Sequence, residues 1–201
     1  VITHDEGIVK VSGEVGTGKS MLCRALLERL PAHVQAIHLS NPALSREDML
    51  HALAQELGLT IPADARHAQI FRLLQEHLIQ RYAGGQQVVV LIDEAHAMPL
   101  ETLEEIRLLS NLESKQHKLL QLVMFGQPEL NEILARHDMR QLKERITHNF
   151  KLGPLGAEEA ADYINFRLRA AGYKGNGLFS PTALKLIADA SRGLTRRINI
   201  L

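Results

Sequence analysis

One cysteine, no tryptophan, few aromatics and no excess charge of either sign set the first limits on this 201-residue chain. Cys23 alone can form neither an internal disulfide nor a cysteine-based zinc site, which suits a reducing compartment. Lys+Arg 23 against Asp+Glu 23 leaves no net charge, so no bulk field draws the chain toward nucleic acid or an anionic membrane. No run of about 18 apolar residues occurs, the length a bilayer-spanning helix needs. The chain begins at Val1 without Met and ends at Leu201 inside an apparent helix, so it reads as part of a longer protein. The histidines are scattered, none in a H-E-x-x-H or comparable ligand spacing, and read as ordinary helix and surface residues. What is abundant is apolar: 45% hydrophobic residues support a packed core and argue against disorder.

The most informative stretch is Gly13-Glu14-Val15-Gly16-Thr17-Gly18-Lys19-Ser20, a match to G-x-x-x-x-G-K-[ST]. The apolar-rich run Ile8–Val11 precedes it, and Met21–Leu30, a helical pattern free of Gly and Pro, follows. Strand, glycine loop and helix together make a phosphate-binding device. The glycines let successive N–H groups turn toward one anion, and the helix N-terminus adds its positive end. Lys19 can reach the β/γ-phosphates and the Ser20 hydroxyl can bind Mg²⁺. Gly13 through Met21 are therefore the expected nucleotide-binding set, with ATP and Mg²⁺ as ligands. Cys23, in the helix after the loop, reads as a packed thiol rather than a reactive one.

Further along, strands and helices alternate. Val34–Leu39 reads as a strand, Ser45 as the cap of a helix ending near Leu57, and Ala65–Tyr82 as a helix with Ile70, Phe71, Leu74, Leu78 and Tyr82 on one face. Val88–Ile92 is apolar at every position, as a strand covered on both faces must be. It delivers Asp93 and Glu94 at its carboxyl end, where α/β sheets place ligands. Asp93 can hold Mg²⁺ through its water shell and Glu94 can act as general base on the attacking water. A helix is expected over about Pro99–Glu113, a strand over Leu119–Phe125, short helices over Glu129–Arg136 and Met139–Arg145, and a strand near Ile146–Leu152. Beyond Gly153-Pro154 the pattern is helical only, at about Glu158–Ala171, at Pro181–Arg192 and again from Thr195. The expectation is an α/β domain over 1–153, its parallel sheet sandwiched by helices, followed by a small helical lid over 154–201.

Asp93-Glu94-Ala95-His96 spells DEAH, but other helicase motifs and room for a second RecA-like domain are missing. The P-loop and the LIDEAH, MFGQPEL, KERI and GLTRRIN segments instead follow AAA+ order. Their wording resembles the bacterial general secretion pathway A family, which includes ATPases of mannose-sensitive haemagglutinin pilus biogenesis; transposition ATPases form a related branch. The resemblance covers nearly the whole chain. It implies an AAA+ P-loop ATPase that powers or assembles a secretion or type IV-like pilus machine. By the same resemblance Gln127 matches sensor 1, Arg145 the arginine finger with Arg140 as rival, and Arg196 the sensor 2 arginine with Arg197 as alternative. It further implies a homo-oligomeric ring or filament, inner-membrane secretion or pilus proteins as partners, and a cytoplasmic location at the inner face of the inner membrane. The transposition branch would add DNA as a partner, which the zero net charge disfavours.

Overall fold

The continuous apolar run becomes β3 (Gln87–Ile92), and all of its residues from Val88 to Ile92 are buried. A computed structural model of the chain describes residues 7–62, 64–113, 117–175 and 177–201. His4 lies outside them. The chain separates into two compact units, one running to Ser12 and resuming over Ser20–Phe150, the other joining Gly13–Lys19 to Lys151–Leu201.

The sheet has five strands, β1 (Ile8–Gly13), β2 (Val34–Leu39), β3, β4 (Leu120–Gly126) and β5 (Ile146–Leu152), which but for Gly13 and the last two residues of β5 belong to the first unit. Their order is β2-β3-β4-β1-β5, and the β2–β3, β3–β4 and β1–β4 pairings are parallel. Parallel strands require crossover connections, which here are helical. These are α1 (Lys19–Arg29), α2 (Arg46–Glu56), α3 (His67–Ala83) and α4 (Leu100–Leu109), with α5 (Glu129–Ala135) and α6 (Arg140–Glu144) before β5. The three inner strands β3, β4 and β1 are buried along almost their whole lengths, whereas β5 is an edge strand with only partial burial. Apolar side chains of these strands and of α2 to α6 form one core. Of the face expected for α3, Ile70, Leu74 and Leu78 are buried while Phe71 and Tyr82 are half-buried; α4 buries Leu103, Ile106 and Leu109.

α4 is shorter than its leucine spacing suggests. The Ser110 hydroxyl donates to Arg107 O at 2.7 Å, and Asn111 N and Leu112 N take carbonyls three residues back. The helix tightens into turns there. Lys118 Nζ then donates to the freed Ser110 carbonyl at 3.1 Å. Leu112 stays buried without being helical.

In the second unit α7 (Ala157–Ala170), α8 (Pro181–Ser191) and α9 (Thr195–Ile198) surround Ala160, Ile164, Ala188 and Ile198. Ser180 caps α8 by accepting from Ala183 N, and Pro181 sits at its first position.

Candidate functional site

Register decides which chain segments meet at one edge of the sheet. Ser12 of β1 lies opposite Gly126 of β4, and Ile92 of β3 lies opposite Met124. The carboxyl ends of three adjacent parallel strands are therefore side by side. The glycine loop follows β1, Asp93-Glu94 follows β3, and Gln127 follows β4.

After β3 the backbone turns sharply. Glu94 has φ 52° and ψ 37°, the left-handed region that disfavours a side chain by about 1–2 kcal/mol. Its N–H donates to Asp93 Oδ1 at 2.9 Å, and a 3₁₀ turn over Ala95–Ala97 follows. This strained turn brings Glu94 and His96 together with Gln127, a residue from the end of a different strand. Gln127 Nε2 donates to Glu94 Oε2 at 3.3 Å. His96 Nδ1 lies 3.4 Å from the same oxygen and 3.4 Å from the Gln127 amide nitrogen. The ring nitrogen can accept from Gln127 N–H when it carries no proton, and can donate to Glu94 only when it carries one. The Glu94 side chain is 40% exposed and the His96 side chain 16%, so the carboxylate reaches water while the ring backs it. The approach of His96 to Glu94 depends on this turn; its one signal in the sequence is a position two residues after the acidic pair.

Cys23 on α1 is buried, and its thiol is pushed up to about 11 by that burial first and by the Asp93 carboxylate second, against a smaller opposite pull from Arg24. It is a packed, protonated thiol, as its place in the sequence suggests.

Within the second unit the glycine loop has φ +84° at Gly16 and +97° at Gly18, conformations that exclude ordinary side chains. Lys19 is buried, and its ammonium donates to Gly13 O at 2.8 Å and Glu14 O at 3.0 Å. Thr17 Oγ1 also donates to Glu14 O, at 2.9 Å. Glu14, Val15, Ser20 and Met21 are exposed. The first turn of α9 rests on this loop: Thr195 Oγ1 donates to Gly16 O at 2.7 Å and Arg196 N to the same oxygen at 3.2 Å. A Cβ at Gly16 would lie 3.0 Å from Arg196 Cβ. Arg196 is thus anchored beside the loop by its backbone, whereas the Arg197 N–H turns back to Leu194 O. Thr195 shows in the sequence as a helix start; its hydroxyl's bond to the glycine loop, 179 residues away in the chain, has no local signal.

Arg145 caps α6, is exposed, and accepts from Ile8 N through its carbonyl at 2.9 Å. Its rival Arg140 donates to Glu144 at 2.9 Å, one turn along the same helix.

Comparison with known proteins agrees with this architecture. Residues 2–134 match the AAA domain family. The chain is 40% identical over 195 residues to General secretion pathway protein A of Aeromonas hydrophila, covering 97% of this chain and 36% of that protein. It therefore spans little more than a third of that relative's length. Among solved structures, Cdc6p from Pyrobaculum aerophilum superposes with a TM-score of 0.69 at 20% identity, covering 99% of this chain and 55% of that one. The Aeropyrum pernix ORC2 protein in ADPNP-ADP complexes gives a TM-score of 0.67 at 17% identity, with 96% and 55% coverage. These two likenesses show a shared fold, and the AAA domain match identifies it as the AAA+ P-loop fold. On the match that spans most of its length, the chain belongs to the AAA domain family.

Proposed function

We propose that this chain binds ATP through Gly13–Met21 and hydrolyses it with Glu94 as general base, as the motor of a secretion or type IV-like pilus machine. The observation that carries the reading is the shared carboxyl edge of β1, β4 and β3, from which the glycine loop, Gln127 and the Asp93-Glu94 pair all leave. Ligands of α/β sheets bind at such an edge. A general base needs an ionised carboxylate open to water, and Glu94 is held by Gln127 while remaining partly exposed.

The residues present fit Mg²⁺. Asp93 keeps one carboxylate oxygen beyond the one that accepts from Glu94 N, and Ser20 offers an exposed hydroxyl, a hard-oxygen donor set. When bound, the ion neutralises charge on the phosphoryl group in transfer. In this scheme Gln127 orients Glu94 and its water as sensor 1, and Arg196, fixed beside Gly16, is the sensor 2 arginine ahead of Arg197. Arg145 is the arginine finger, in preference to the ion-paired Arg140. An exposed arginine completes a neighbour's site, which implies a head-to-tail ring or filament. Residues 1–153 act as the nucleotide-binding part and 154–201 as its lid. The identity to General secretion pathway protein A supports inner-membrane secretion or pilus proteins as partners, with the chain at the cytoplasmic face of the inner membrane.

The test of this reading is ATP binding by calorimetry to Lys19→Ala. The lysine acts as a point charge on phosphate, so its removal is expected to abolish tight binding while the fold, read by circular dichroism, stays intact. Unaltered affinity in a folded Lys19→Ala chain would remove the glycine loop from the scheme.

A further inference from the structure

We propose that the chain carries a second anion-binding site, whose lining shares no residue with the glycine loop, in a cleft floored by Lys10 and suited to a phosphate-type oxyanion. Lys10 stands in β1 where the neighbours Ile8, Val9 and Val11 are all buried apolar side chains, and it is itself only 5% exposed. Its ammonium donates to Asn131 Oδ1 on α5, which among the described residues is its sole hydrogen-bond partner. An ammonium has three N–H groups, and a buried charge that is not paired costs several kcal/mol.

A cavity of about 300 Å³ opens over this lysine, lined by Lys10, Asn131, Leu134, Lys143, Ile146 and Asn149. No carboxylate is among these residues, although the chain carries as many acidic as basic side chains. Lys143, exposed on α6, is close enough to add to the burial that lowers the pKa of Lys10. Two like charges thus converge on one space with no carboxylate among the described residues that line it, an arrangement that an anion stabilises. The remaining polar groups suit the same ligand. Asn131 uses its oxygen on Lys10 and keeps its amide N–H groups, and Asn149 on β5 brings a second amide to the rim. Leu134 and Ile146 form apolar walls, which strengthen any charge contact made between them. The volume is that of several water molecules at about 30 Å³ each, ample for a tetrahedral oxyanion. Two ammoniums and two amides around a space of this size form a donor set for phosphate, either free or as the terminal group of a larger ligand.

Thermal unfolding of the chain, titrated with sodium phosphate and with sodium chloride at matched ionic strength, tests the site. The titration is repeated in Lys19→Ala, so that phosphate held by the glycine loop is set aside. A saturable rise in Tm with phosphate, absent with chloride, is expected in both chains. Lys10→Met and Lys143→Met, each made in the Lys19→Ala chain, should each weaken the apparent phosphate affinity by about tenfold or more, the scale of one charge-assisted hydrogen bond. Without phosphate, Lys10→Met should be at least as stable as its parent, because it removes a buried charge that faces another. Phenyl phosphate in place of inorganic phosphate separates the sources: equal or tighter binding means a phosphoryl group on a larger ligand, and failure to bind means the free ion. The site is overturned if the two methionine variants respond to phosphate as their parent does, if chloride acts as well as phosphate, or if Lys19→Ala alone removes the response. Should Lys10→Met not fold, Lys143→Met on the exposed rim decides the question alone.

Discussion

Cys23 reports on the electrostatics next to Asp93. Its thiol is pushed up to about 11 from an ordinary 9.0, by burial and then by the neighbouring carboxylate. Folding therefore favours the neutral thiol. That preference is fully present below pH 9 and is lost as pH rises from 9 toward 11. The stability difference between the unaltered chain and Cys23→Ala should shrink over that window, by on the order of 2 kcal/mol. Urea unfolding of both chains across the window checks it; a constant difference would mean that the thiol titrates normally. At this scale the sequence revealed the chemistry but not the geometry. A glycine-rich spacing and an acidic pair after an apolar strand announce themselves by residue type. The left-handed backbone at Glu94, and the approach of His96 and Gln127 to its carboxylate, depend on how two strand ends lie side by side. No local pattern encodes that.

Among the elements, apolar periodicity located the strands and the inner faces of α3 and α4, because burial of those faces is what makes them helices and strands at all. Polar groups inside those faces were invisible to it. Glu105 lies on the inner side of α4 with a side chain 0% exposed. Its carboxylate pairs with Arg46 of α2, and His67 Nε2 of α3 lies 3.0 Å from its other oxygen. The same ring nitrogen is 3.1 Å from Arg46 Nε, so it either accepts from the arginine or donates to the glutamate. This cluster ties three helices together across the core. Arg46→Met strands a buried carboxylate and should destabilise the fold by about 3 kcal/mol. Adding Glu105→Leu removes the stranded charge and should restore most of that loss. Denaturant unfolding of the two single variants and the double variant measures the coupling. Additive effects would show that Arg46 and Glu105 act independently.

At the scale of the whole molecule, the order of P-loop, acidic pair, polar strand end and late arginines was legible as a family pattern, and the AAA+ fold follows it. Assembly is a different matter, since one chain does not display its neighbours. Arg145 is exposed at the end of α6, and in the proposed scheme it is an arginine finger, a group that contributes on the order of 10³–10⁵ in rate in related phosphoryl-transfer systems. ATPase activity should therefore rise more than linearly with protein concentration, and Arg145→Ala should nearly abolish it with ATP affinity little changed. Mixing Arg145→Ala with Glu94→Gln subunits should restore part of the activity, because some interfaces then pair an intact Glu94 with an intact Arg145. Mixed assemblies that form and stay inactive would rule out Arg145 as the finger acting in trans.

The central claim, an ATPase whose base is Glu94, is tested most directly by phosphate release from saturating MgATP in Glu94→Gln against the unaltered chain, with ATP affinity measured in parallel. Gln keeps the size and the contact with Gln127 within reach but cannot take a proton. Retained ATP affinity with turnover slowed by roughly 10²-fold or more is the expected result. Turnover at the unaltered rate would contradict the assignment and place the base elsewhere.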